Sequence, residues 1–129
     1  MKTDNAAPRA EGVVIGRSQD LPDGGRLVVA VAGTEIGIFR IRGALRAYAN
    51  YCPHVGGPVC QGLMIHRVVE RIDDRRRSVG DDFSEDMNIV CPWHGYEFDL
   101  ATGRHPGAPA TRLVSYHVWE QGGEILVEL

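Results

Sequence analysis

Between Val13 and Ala49 the apolar positions fall into short runs: Val13–Ile15, Arg26–Ala32, Glu35–Arg42 and Leu45–Ala49. Pro22-Asp23-Gly24-Gly25, Gly33-Thr34 and Gly43 separate them, and these are turn residues at hairpin spacing. The chain closes in the same style, with β-rich runs at Leu113–Glu120 and Glu124–Leu129 joined by Gln121-Gly122-Gly123. The pattern predicts strands at both ends and an all-β fold. Between them, residues 50–109 are rich in glycine, proline, histidine and cysteine and hold no stretch of ten residues with a 3.6-residue period. Within that middle, Leu63–Asp86 carries five arginines and seven acidic residues among 24 positions, which reads as a solvated, charged insertion. Residues 1–10 show no periodicity and read as a frayed terminus, leaving 11–129 as a single domain.

Composition narrows the function classes. Fourteen basic against seventeen acidic residues give a net charge of −3, which supplies no field for holding a phosphate backbone. The first thirty residues contain Asp4, Glu11, Asp20 and Asp23 and no apolar segment of leader length. The longest apolar run, Leu27–Ala32, falls far short of the ~20 residues needed to span a bilayer. The expectation is a cytoplasmic protein with neither nucleic acid nor membrane as partner. In that compartment thiols stay reduced, so three cysteines point to metal ligation or packing before disulfides.

Two short motifs carry the chemistry: Cys52-Pro53-His54 and Cys91-Pro92-Trp93-His94, with thirty-six residues between His54 and Cys91. They offer two thiols and two imidazoles. A single zinc could use that set, but zinc sites usually space cysteine from cysteine and histidine from histidine. Here each loop pairs one of each kind. Two neighbouring irons could take one ligand from each loop, cysteines on one and histidines on the other, so the spacing favours a dinuclear centre over the zinc alternative.

Cys52–Gly57 (C-P-H-V-G-G) and Cys91–Gly103 (C-P-W-H-G-Y-E-F-D-L-A-T-G) resemble the two cluster loops of Rieske 2Fe-2S proteins. Gly107-Ala108-Pro109-Ala110 resembles the proline loop that covers the cluster in that family, and the likeness spans residues 11–129. It implies a Rieske-type fold of stacked antiparallel sheets with a cluster-binding loop subdomain at about 50–110. It also implies one 2Fe-2S cluster, its inner iron on Cys52 and Cys91 and its outer iron on His54 and His94. Cys60 matches no ligand position and reads as a packed thiol. His66, His105 and His117 lie outside both motifs and read as ordinary surface or half-buried residues, while Trp93 and Tyr96 read as a shield against water.

The functional expectation is a Rieske-type ferredoxin: a one-electron carrier, not an enzyme, that shuttles electrons from a reductase to a terminal oxygenase or another redox enzyme. Neither the catalytic domain of a Rieske oxygenase nor an anchor like that of the quinol-oxidising subunit is accordingly expected. A redox-sensing accessory subunit is the alternative from another class, and a zinc-stabilised interaction domain a remote third. The charged insertion is expected to lie peripheral to the cluster and to share in partner choice through its rim charges.

Two ferric ions, two sulfides, two thiolates and two neutral imidazoles sum to zero charge, against −2 for an all-thiolate centre, so the histidines raise the potential. In respiratory Rieske proteins two further cysteines link the loops, and serine and tyrosine hydroxyls reach the cluster sulfurs. The corresponding positions here are Gly57 and Trp93, and Tyr96 and Phe98, so neither the disulfide nor the same hydroxyl donors are available. A potential near the low end of the ~−150 to +300 mV Rieske span is therefore predicted, rising in Phe98→Tyr. Protein-film voltammetry checks this, and a wild-type value well above about +100 mV within that span contradicts it.

Overall fold

The computed structural model describes residues 12–54, 56–93 and 95–129. Among these residues eleven strands form three antiparallel sheets, in keeping with the all-β pattern. The base sheet runs β1-β11-β10-β4-β3-β2, comprising β1 (Val13–Arg17), β2 (Arg26–Val31), β3 (Thr34–Ile41), β4 (Ala44–Ala49), β10 (Ser115–Gln121) and β11 (Glu124–Glu128). These six match the runs expected at the two ends of the chain. The β2–β3 and β3–β4 hairpins close through Ala32-Gly33 and Arg42-Gly43, all four residues with positive φ. That is the turn geometry whose twist suits a two-residue hairpin.

Strand β3 is a wall between two cores. Ile36 and Ile38 point to one side, where they join Leu21, Val31, Ala47, Ile125 and Val127. Phe39 and Ile41 point to the other, where they meet Tyr48, Val59, Cys60, Ile89, Phe98, Leu100 and Leu113 together with Cys52 and Cys91. The two-residue period of a strand is what sorts neighbouring apolar residues into separate cores. β4 repeats the division, Ala47 facing the first core and Tyr48 the second.

The second core lies between the base sheet and a three-stranded sheet of β5 (Leu63–Ile72), β6 (Ser78–Val90) and β7 (Glu97–Asp99). A two-stranded ribbon of β8 (Arg104–His105) and β9 (Ala108–Arg112) completes the molecule. The stretch expected as a solvated insertion is thus built as strand pairing. β5 and β6 run antiparallel from Leu63↔Val90 to Ile72↔Ser78, with two register shifts on the way. Charge density alone hid these strands, because backbone pairing does not require an apolar face on a ribbon beyond the core. Its turn is fastened by Asp73, whose Oδ1 accepts the amides of Arg75 and Arg77 at 2.9 and 2.8 Å. Ten residues of β5 separate this turn from the segment that follows the first loop, about 33 Å of extended chain. The Gly107–Ala110 stretch is also strand-built, entering β9, with the Pro109 carbonyl accepting Arg104 Nη1 at 3.2 Å. Residues 1–11, including the terminus read as frayed, lie outside the described residues.

Base and loop regions are fastened by hydrogen bonds between side chains and backbone. Tyr48 Oη donates to the Leu100 carbonyl at 2.7 Å, and burial pushes its phenol up to about 12. Arg26 Nη1 donates to the carbonyls of Cys60 and Gly62, and Asn50 Oδ1 accepts the Cys60 amide at 2.8 Å. Cys60 is a packed thiol, as its isolation in the sequence suggests, pushed up to about 12 by burial. It fits because residue 37 has no side chain: a Cβ on Gly37 would lie 2.5 Å from Cys60 Cβ and 2.6 Å from its Sγ. Gly37→Ala is expected to cost about 1–3 kcal/mol by overpacking. In a double-mutant cycle read by urea unfolding, Cys60→Gly should recover part of that cost, and strict additivity would contradict the contact.

Candidate metal centre

The two cysteine loops are built on one backbone frame. In the first, the Cys52 amide donates to Gly57 O at 2.8 Å and the Gly56 amide donates back to Cys52 O at 2.7 Å. In the second, the Cys91 amide donates to Tyr96 O at 2.7 Å and the Gly95 amide to Cys91 O at 3.2 Å. Each frame turns on a glycine four residues after the cysteine, Gly56 at φ 83° and Gly95 at φ 71°, a region that side-chain-bearing residues rarely adopt. The signal was present in the sequence as Cys-Pro-x-x-Gly at both sites, although the Cys/His motifs alone do not disclose it.

The frames bring the thiols together. Cys52 and Cys91 are fully buried in the second core, close enough for a hydrogen bond between the two thiols. Burial holds the Cys91 thiol above its ordinary range, and the neighbouring Cys52 pushes the same way against the Trp93 amide, which favours the thiolate. The loops also meet through Gly57, where an added Cβ would lie 2.9 Å from Cys91 Sγ and 2.8 Å from Trp93 Cγ. The contact joins residues 57 and 93, neither of which is a cysteine.

His54, in the same loop as buried Cys52, is exposed. Its imidazole lies flat on Tyr96, ring centroids 4.2 Å apart and planes 8° from parallel. His94 lies outside the described residues. Tyr96 thus gives its ring to His54. Phe98 is fully buried beside it at 6.1 Å and brings no hydroxyl. Trp93, expected as a shield, is half exposed and rests on Gly57; Tyr51, 61% exposed, rests on Gly56 in the same manner. His66 and His117 are exposed, the latter stacked on Trp119 at 5.0 Å. His105 is half-buried, with Nδ1 3.1 Å from the Glu97 carbonyl. Among the described residues, no group of three or more His, Cys, Asp or Glu side chains converges as a ready metal cage.

The molecule is thus an all-β base carrying two matched loops, each with a buried cysteine and a histidine in its motif. The Rieske [2Fe-2S] domain model matches residues 11–117, and the chain belongs to that family, whose cofactor is a Rieske-type 2Fe-2S cluster. The chain is 28% identical over 111 residues to the ferredoxin component of a naphthalene 1,2-dioxygenase system from Pseudomonas aeruginosa, covering 85% of this chain and 88% of that one. Its fold is similar to the ferredoxin of carbazole 1,9a-dioxygenase from Nocardioides aromaticivorans, with TM-score 0.63, 23% identity and coverage of 92% and 97% of the two chains. It is also similar to a chain in the complex of reduced oxygenase and oxidized ferredoxin in carbazole 1,9a-dioxygenase, with TM-score 0.64, 21% identity and coverage of 91% and 92%.

The Gly57 contact yields a direct test. Gly57→Ala forces its methyl between Cys91 Sγ and Trp93, so the purified protein is expected to keep its sheet signature in circular dichroism while losing most of its visible cluster absorbance. Full absorbance would contradict the close approach of the loops.

Proposed function

We propose that residues 11–129 form one Rieske domain that serves as a one-electron carrier, with Cys52 and Cys91 holding one iron and His54 and His94 the other. The observation that carries this reading is the polarity of the site: two adjoining thiols in a dry core and, two residues from one of them, an imidazole at the surface. The donor set fits the group. Thiols buried side by side among Phe98, Ile89 and Leu113 suit a metal that takes them as thiolates and removes their charge from the apolar surroundings. When bound, the cluster supplies a one-electron couple.

The chain's own residues do the rest. The paired backbone frames hold both cysteines in register, and the second core keeps water from the sulfur side. His54 marks the surface at which a partner comes nearest, with Tyr51 and Trp93 as exposed aromatic neighbours of the loops. The partners that suit such a carrier are a reductase as donor and a terminal oxygenase as acceptor. The ferredoxin components of dioxygenase systems among its relatives support this reading. Among the described residues, no helix is long and apolar enough to cross a membrane.

The test is chemical analysis of the purified protein. Two irons and two acid-labile sulfides per chain are expected, with an electron paramagnetic resonance signal appearing on dithionite reduction. His54→Ala and His94→Ala should each abolish the cluster and lower the unfolding temperature, because metal binding is part of the folding free energy. A colourless zinc protein, or a fully loaded alanine variant, would contradict the ligand assignment.

A further inference from the structure

His105 belongs to neither loop, and the carrier reading makes no use of it. It stands in β8, half-buried, with Nδ1 3.1 Å from the Glu97 carbonyl oxygen. A carbonyl only accepts, so Nδ1 carries the proton and the ring is tethered in one orientation. From that tether the imidazole leans on Tyr96, centroids 4.7 Å apart and planes at 40°. Tyr96 lies flat on His54 at 4.2 Å, with Phe98 behind it at 6.1 Å. Phe98 in turn stands 6.1 Å from His105. The three rings His105, Tyr96 and His54 therefore make an unbroken line of contact from a backbone carbonyl of β7 to the exposed imidazole of the first loop.

We propose that His105 is a positioning residue for the cluster, which fixes the plane of the His54 imidazole by bracing Tyr96 against it. This rests on the assignment of His54 as an iron ligand. The torsion that turns a histidine ring about Cβ–Cγ is broad, so a ring stacked on one face narrows it. Tyr96 supplies that flat wall. A wall on a flexible tyrosine would itself rock, but Phe98 and the tethered His105 back it. The plane of a ligand imidazole decides which iron orbitals its π system meets, so groups that hold that plane tune the electronic state of the metal.

The experiment uses the loaded protein and its Tyr96→Phe, Tyr96→Leu, His105→Phe and His105→Ala variants, each checked for iron and labile sulfide. Frozen-solution electron paramagnetic resonance of the reduced state, the reduction potential and the rate of iron loss to a chelator are recorded. His105→Ala and Tyr96→Leu are expected to shift and broaden the g-values and displace the potential. They should also lose iron about two- to tenfold faster, the range that one aromatic pair carries. Tyr96→Phe keeps the ring and should match wild type, while His105→Phe keeps the brace without its tether and should fall between. A loaded His105→Ala with wild-type g-values and potential overturns the proposal. Should Tyr96→Leu not load, His105→Ala decides; should neither load, His105→Phe decides, and a wild-type spectrum from it overturns the proposal. A wild-type chain without an iron–sulfur cluster would instead remove the carrier reading itself, which separates the two failures.

Discussion

Everything at the site depends on how two cysteine side chains are kept deep in an apolar core while the chain that carries them returns to the surface within a few residues. Backbone hydrogen bonding solves this identically in both loops. The cysteine amide is satisfied by a carbonyl five residues on, and the cysteine carbonyl by a glycine amide four residues on. A buried loop that left these groups unpaired would lose on the order of 1–3 kcal/mol for each. With them paired, the loops can approach until Gly57 touches Cys91 Sγ. Backbone pairing within each loop and the close fit at Gly57 between them thus shape the site, where no disulfide does.

The base sheet is what makes that geometry stiff. β3 is buried on both faces, so a displacement of the loop region disturbs two cores at once. Tyr48 reaches across to Leu100, Arg26 to the chain after the first loop, and Asn50 to Cys60, where Gly37 lets the thiol lie against the sheet. These contacts set where the 3₁₀ turn Val59–Gln61 and the first loop sit. The same packing separates the side chains of the first loop: Cys52, like Cys91, faces the second core, and His54 faces solvent.

Much of this was legible in the sequence. Alternating apolar runs with glycine turns located the six base strands within one or two residues, and the two Cys/His motifs located the loops. The β5–β6 ribbon was not legible, because residues 67–86 are mostly charged and strand pairing there leaves no period-2 apolar face to read. The bracing of His54 was hidden for another reason. Tyr96 and His105 are nine residues apart on β7's flank and β8, and only the turn between those strands brings the rings together. Periodicity reports which face of an element is buried; it carries no information on contacts made around a corner.

The proposed site is asymmetric, with one iron on the buried thiolates of Cys52 and Cys91 and the other on the imidazoles of His54 and His94. Mössbauer spectroscopy of the ⁵⁷Fe-enriched, dithionite-reduced protein tests it most directly. Two components of equal area are expected: a ferric iron in an all-sulfur environment, and a high-spin ferrous iron with the larger isomer shift of nitrogen ligation. Two indistinguishable irons, or a reduced site with sulfur ligands alone, would contradict it.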